Sequence, residues 1–425
     1  MENKTRILAK NVEVSNDTRK TRLNNNDVII GPSGAGKTSG YVIPNINQHY
    51  GSMIIADTKG DLARRMEPSL KEAGYQVQTL DFVNQKNSCS YNPLAYISRD
   101  RWGVHYNQKE LISMVNLLVP RMDKDEPFWE ESAKTVLVSL IAFVLEALPE
   151  EEQHLGSVVE LFRIVGTDKG ENIFGQWEQE CPDSFAVKKY KMYRQLYQAE
   201  RTWSCVRQFA AQALDAFDYE DSRHIFCHNS TISFEKMGKE KHVLFVNVSD
   251  TDRSFDRIVN LFYSQALQAL CKAADKSQDS RLPVPVRIIM DDFATNVCIP
   301  HFDKIMSVIR SREISVSIIL QNLAQLNSMY SEAEANTIIN NCDHMLYLGG
   351  QDLKTAEYIS ARANRTVDSI LGMGLEQAYL FVRGERPKLV EKVNPFEKEA
   401  SSEEGDFGKW GILEDDFGVE ELPFS

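Results

Sequence analysis

The 425-residue chain is expected to fold as an α/β protein with a mostly parallel central sheet and one inserted all-helical domain. Three features predict this. Short apolar runs alternate with amphipathic helices from Asp27 onward, a glycine-rich turn follows the first of those runs, and strand-like runs cease between roughly Asn107 and Glu235 before resuming.

Residues 1–26 are polar, with six basic side chains against three acidic ones, and read as an arm leading into the first strand. The run "DVIIG" is that strand. "SMIIAD" (52–57) is the next, and the amphipathic "DLARRMEPSLKEAGY" after it is a helix that Gly74 can end. "QVQTLDF" (76–82) is a third strand. Alternation of this kind implies βαβ units and hence parallel pairing. The stretch that follows reads as helices only, among them "QKELISMVNLLV", "FWEESAKTVLVSLIAFVLEAL" and "RTWSCVRQFAAQAL". Strands return at "KHVLFVNV" (241–248), "VRIIMD" (286–291), "SVSIILQ" (315–321), "HMLYLGG" (344–350) and "QAYLFVRG" (377–384), making a sheet of about eight. The domains predicted are an arm (1–26), a nucleotide-binding domain in two parts (27–100 and 239–396), the helical insert (101–238) and an acidic tail (397–425).

Composition narrows the class. The first residues lack the apolar core of a signal peptide. The most membrane-like run, "VLVSLIAFVL" (136–145), is about half of the roughly 20 residues a bilayer span needs, so a buried core helix is expected there. Seven scattered cysteines without a Cys-x-x-Cys pair argue for a reducing compartment. "HIFCH" gathers His224, Cys227 and His228, but no second ligand pair follows at finger spacing, which favours a structural role. The net charge is −13, of which −8 falls in the last 29 residues. That segment has no helical or strand period and carries aromatic islands at Phe407, Trp410, Phe417 and Phe424. It reads as disordered, either solubilising or docking onto a basic partner.

The chemistry begins at "GPSGAGKT" (31–38), a full match to G-x-x-x-x-G-K-[ST] placed between a strand and a helix. Gly31, Gly34 and Gly36 let the backbone turn and aim several N–H groups at one point. That nest, with the helix N-terminus, suits phosphate oxygens. The contacts are expected from Gly31, Pro32, Ser33, Gly34, Ala35, Gly36, Lys37, Thr38 and Ser39. Lys37 adds a positive charge for the β- and γ-phosphates, and Thr38 offers a hydroxyl to Mg²⁺. ATP and Mg²⁺ are thus the expected ligands. "RIIMDDFATN" (287–296) drives an apolar strand into two aspartates. A strand ended by carboxylates is expected beside the phosphate-loop strand, with Asp291 on the metal and Asp292 orienting or deprotonating the attacking water. Gln321 closes another strand, where its amide can reach the γ-phosphate or that water. In "VIRSRE" (308–313), Arg310 and Arg312 cannot share a helical face. One is expected to cross a subunit boundary as an arginine finger and the other to pair with an acid.

These pieces resemble one family. The phosphate loop with "YVIPNI" downstream, "ADTKGDL", "YNPLAYI", "DEPFWEESA", the long "DDFATNVCIPHFDKIMSVIRSREISVSIILQNLAQL" and "CDHMLYLGGQDLKTAEYIS" look like the coupling proteins of type IV secretion and conjugative DNA transfer. The resemblance runs from about Asp27 to Pro395. It implies a RecA-like P-loop NTPase with an inserted all-helical domain. It also implies a homo-hexameric ring at the inner membrane that brings a relaxase–DNA complex or another secreted protein to the channel. By motif, Lys37 and Thr38 are then the nucleotide and Mg²⁺ residues, Asp291 the metal-side carboxylate, Gln321 the γ-phosphate sensor and Arg310 the finger. Pro44 is expected to kink the helix after the phosphate loop; Asp57, Lys59 and Gly60 match a recurrent loop of underived role. Two departures stand out. Asp292 replaces the family's glutamate and is one methylene shorter, which points to slow hydrolysis. Family members also usually begin with transmembrane helices, whereas this chain starts almost at its core, so either a truncated or a naturally soluble form is expected, cytoplasmic and peripheral to the inner membrane through a partner or a missing anchor.

For DNA, "VKKYKMYRQLYQAERTW" (187–203) interleaves Lys188, Lys189, Lys191, Arg194 and Arg201 with Tyr190, Tyr193, Tyr197 and Trp203. Lysines can hold phosphates and aromatic faces can stack on unpaired bases, without reading sequence. An amphipathic helix with buried rings has the same pattern. The leading expectation is an ATP-driven coupling motor for DNA. The alternatives are a nucleotide-binding substrate receptor with little turnover and a related DNA-translocating ring ATPase.

Overall fold

The computed structural model describes residues 4–103, 105–119, 127–249, 251–291 and 298–394. Nine strands form the central sheet: β3 (Asp27–Ile30), β4 (Ser52–Ala56), β5 (Gln76–Asp81), β6 (His242–Asn247), β7 (Val286–Met290), β8 (Ile314–Leu320), β9 (His344–Tyr347), β10 (Gln377–Val382) and β11 (Lys388–Glu391). Their order is β11-β10-β9-β3-β8-β7-β4-β6-β5. From β9 to β5 every pairing is parallel, and β10 and β11 add antiparallel strands at one edge. All eight expected strands are present. The ninth, β11, is a largely exposed edge strand, so it lacks the apolar run that marks the others.

Alternation along the strands divides the core. Val28, Ile30, Ile54 and Ile288 face one way, toward the helical insert and the helix Asp256–Lys276. Ile29, Met53, Ile55 and Ile289 face the other, against Tyr41, Val42, Ile46 and the helix Asp61–Glu72. Both faces are covered, as a parallel sheet requires. In the insert, the apolar run 136–145 lies within the buried helix Phe128–Ala147, whose neighbours are the helices Phe185–Arg194 and Glu200–Asp218. Among the described residues no helix is long and apolar enough to cross a membrane.

Two expectations are corrected here. The arm is folded: β1 (Thr5–Ala9) and β2 (Val12–Ser15) make an antiparallel hairpin. Its polarity misled because Arg6 is itself a core residue, 2% exposed and bonded to Asp27. The carboxylate-ended strand β7 is also not beside β3, because β8 lies between them. Strand order is set by crossovers between distant segments, and no local pattern encodes it.

Candidate nucleotide site

The site sits at the carboxyl ends of the parallel strands, where open α/β sheets place their ligands. Gly31 leaves β3 and donates its N–H to the Leu320 carbonyl at the end of β8 (3.0 Å). A Cβ on Gly31 would come within 2.9 Å of Leu348 Cβ, so the glycine allows close approach there. Gly34 and Gly36 have φ of +77° and +87°, the left-handed region open to glycine without strain. Lys37 is buried, and its Nζ donates to the Gly31 and Pro32 carbonyls, both at 2.9 Å. The ammonium thus lies folded along the loop.

Thr38 and Asp291 meet. The Thr38 hydroxyl donates to Asp291 Oδ2 at 2.6 Å. Two strand spacings, about 10 Å, separate β3 from β7. The gap is closed because Thr38 lies on the helix that leaves the loop, not on β3. That helix opens in π register over Thr38–Val42, with the Ile43 N–H bonded to the Thr38 carbonyl, and continues as a helical turn through Pro44. Widening of this kind is one recognised way for a helix to accommodate a proline and bend.

Gln321 follows β8 directly and, by the Ile30–Leu320 register, lies level with Gly31. Its N–H donates to Gln325 Oε1 (2.9 Å). Ser33 and Ala35 lie in the loop, and Ser39 stands beside Thr38 in the π turn. Asp292 lies outside the described residues, as does the acidic tail. Arg310 is placed elsewhere: it is exposed in the turn Ile309–Arg312, before β8 begins. The seven residues of β8 put it roughly 23 Å from its own phosphate loop. Arg312 pairs with Asp275 (2.8 Å).

The recurrent loop after β4 has a structural account. Asp57 is buried and accepts from the Asp61 and Ala63 N–H groups, fixing the start of the helix Asp61–Glu72. Gly60 has φ +65°, and a Cβ there would meet Asn247 Nδ2 at 2.8 Å. Lys59 is exposed on the same loop.

The proposed base-stacking patch is not available. Tyr190 and Tyr193 are 1% exposed; Tyr190 stacks on Phe174 (4.4 Å between centroids), and Tyr193 on Trp203. Lys188, Lys191 and Arg194 pair with Asp183, Glu178 and Glu171. The rings build the core of the insert and the cations lie on its solvated face. In the "HIFCH" segment, the His224 ring nitrogen donates to the Ser88 carbonyl (3.0 Å).

Sequence reasoning missed a buried network beneath the site. Asp27 accepts from Arg6 (2.8 Å), Arg287 (3.2 Å) and the Tyr41 hydroxyl (2.5 Å). The signal was available: Arg287 interrupts an otherwise apolar strand.

Residues 1–369 match the family model described as "Type IV secretory system Conjugative DNA transfer". Protein VirD4 of Rhizobium radiobacter is 19% identical over 380 residues, covering 83% of this chain and 50% of the relative. The chain therefore spans about half the length of the curated relatives it matches. Among solved structures, plasmid coupling protein TrwB in complex with ADP and Mg²⁺ superposes with a TM-score of 0.61 at 16% identity, covering 86% of this chain and 84% of that one. VirB4 of Thermoanaerobacter pseudethanolicus gives 0.55 at 14% identity, covering 92% and 96%. These likenesses support the RecA-like fold with its helical insert.

Proposed function

The chain belongs to the type IV secretory system conjugative DNA transfer family, and from that premise we propose that it is an ATP-hydrolysing coupling protein that moves DNA toward a secretion channel. The observation that carries this reading is the Thr38–Asp291 contact at 2.6 Å above the phosphate loop. A hydroxyl and a carboxylate brought together there form the hard oxygen donor set that Mg²⁺ prefers. Thr38 would hold the metal directly and Asp291 through water. When bound, the metal would neutralise charge on the β- and γ-phosphate oxygens. TrwB, with the same fold, binds ADP and Mg²⁺.

The chain's own residues supply the rest. The N–H groups between Gly31 and Ser39 cradle the phosphates, and Lys37 swings its charge from the loop carbonyls to the β- and γ-phosphates. Gln321 holds the γ-phosphate or the attacking water. Asp292 takes the water's proton, and its short reach slows that step. Arg310 serves a neighbouring subunit, because its own site is a sheet's length away. That geometry supports a ring, taken as a homo-hexamer. The expected partners are non-specifically held DNA, a relaxase or other secreted protein, and channel components at the inner membrane. The acidic tail is a candidate docking segment for them.

The test is hydrolysis of MgATP with and without single- and double-stranded DNA, with stimulation by DNA expected. If no hydrolysis occurs with DNA, and Asp292→Glu does not produce it, the motor reading fails. The finger is tested by mixing. Arg310→Ala and Lys37→Ala are each expected to be inactive alone, while a mixture of the two regains turnover, since Lys37→Ala subunits lend Arg310 to intact sites. A mixture as inactive as its parts would remove Arg310 from the site.

A further inference from the structure

The helix that carries Lys37 and Thr38 at its start is fixed at three points, by the hairpin, by the sheet and by the segment that follows β11. Asn45 lies on that helix and clasps β1: its Nδ2 donates to the Ile7 carbonyl (2.8 Å), and its Oδ1 accepts from the Ile7 N–H (2.9 Å). The side-chain amide thus occupies the place that a neighbouring strand's peptide would take. The same Nδ2 reaches the Tyr41 carbonyl (2.8 Å), tying the clasp to the preceding turn. Tyr41 is the second point. Its hydroxyl donates to Asp27 and lies 2.8 Å from Ser317 Oγ, and Asp27 is in turn gripped by Arg6, the hairpin residue next to Ile7. The third is Gly40, where a Cβ would stand 3.2 Å from the Val393 carbonyl. This segment and the hairpin are joined by the Lys10 N–H to the Glu391 carbonyl (2.9 Å).

Stability alone does not call for this arrangement, because Val42 and Ile46 on the same helix are fully buried and already anchor it by apolar contact. Directional polar anchors add something that apolar packing lacks: they fix where the helix stands along its axis. Thr38 is one turn from Tyr41 and meets Asp291 at hydrogen-bond distance, so axial position is what the metal-binding pair depends on.

We propose that the N-terminal hairpin seats the phosphate-loop helix, and that Asn45, Tyr41 and Arg6 are positioning residues for ATP turnover, acting through Thr38 without touching nucleotide. The inference rests on the nucleotide reading above. It makes the hairpin a lever: any partner that displaced β1 would shift Thr38 against Asp291.

Steady-state MgATP hydrolysis tests it, measured on the full chain at a temperature where each variant is shown to be folded. A misplacement of about 1 Å can cost roughly 100-fold, so Tyr41→Phe and Asn45→Ala are expected to lower kcat about tenfold or more with KM changed by less than about threefold. Val159→Ala, a core change in the helical insert, serves as the control. It is expected to lower the melting temperature and leave kcat alone. Should Asn45→Ala not fold, Tyr41→Phe carries the test alone, since it keeps the ring and removes only the hydroxyl. The proposal is overturned if the folded helix variants keep kcat within about twofold of the parent, or if Val159→Ala loses as much. The parent chain is measured first. A parent that neither binds a fluorescent Mg–ADP analogue nor turns over ATP would sink the nucleotide reading, and this one with it. An active parent with unaffected variants sinks this one alone.

Discussion

Lys37→Ala is expected to abolish ATP turnover, by a factor of at least about 100–1,000, while leaving the molecule folded. The rate term follows from position. Lys37 is the cation that the described phosphate loop itself provides, and loss of one preorganised donor to developing charge typically costs about 10²–10³. The stability term is small for a different reason. The ammonium donates to two carbonyls of its own loop, those of Gly31 and of the exposed Pro32, at the rim of the sheet. With the side chain removed, those carbonyls can turn to water. A shift of no more than a few degrees in melting temperature is therefore expected, read by calorimetry beside the hydrolysis assay. Turnover that survives in Lys37→Ala would detach the phosphate loop from the chemistry.

That site was legible because its parts are encoded locally. The glycine spacing 31–36, the lysine and threonine after it, and a strand ending on Asp291 each announce themselves within ten residues. What joins them is not local. That β8 would lie between β3 and β7, and that the helix would carry Thr38 across it, depends on crossovers between segments more than 250 residues apart. The arm was misread for a related reason. Arg6 looks like a solvent residue until Asp27 and His344, from two different strands, and the Asn16 and Asn25 side chains provide it with partners, while Arg287 from a third strand shares Asp27. The lysine–tyrosine pattern at 187–203 misled in the opposite direction. Helical periodicity allows a ring to face either base or core, and the neighbouring helices decided for the core.

Asp27→Ala is expected to be the most damaging single substitution for stability, and the reason is charge. In the native protein one carboxylate, 2% exposed, faces two guanidinium groups, Arg6 and Arg287, that are themselves 2% and 10% exposed. Burial alone would raise the Asp27 pKa; the two guanidinium groups more than offset that and hold it below the usual carboxylate range. Without Asp27 two like charges remain buried and unpaired, and removing one member of such a set costs about 3–5 kcal/mol. Total stability is typically about 5–15 kcal/mol, so the variant is expected to lose a large fraction of it and to unfold at a much lower urea concentration than the parent. Replacing all three charges together, as Arg6→Met, Asp27→Leu and Arg287→Met, is expected to recover a large part of the loss, because no buried ion is then stranded. Urea midpoints of the single and triple variants compare them; a single variant as stable as the parent would mean the charges are hydrated in solution.

The same cluster sets an acid limit. Burial lowers the His344 pKa from 6.5 to about 4, and the nearby Arg6 adds to that while Asp27 opposes it. The unfolded chain takes up this proton near pH 6.5 and the folded one only near 4, so stability falls as pH drops through that interval, by up to roughly 3 kcal/mol. Asp27 acts lower, its contribution lost as pH falls below the ordinary carboxylate range toward its own depressed value. His344→Gln is expected to flatten the upper interval and leave the lower one in place. Because Tyr41 hangs on the same carboxylate, acid that loosens the cluster should loosen the phosphate-loop helix before the rest of the sheet, visible as earlier hydrogen exchange at Tyr41–Ile46 than at β6, which holds no member of the cluster.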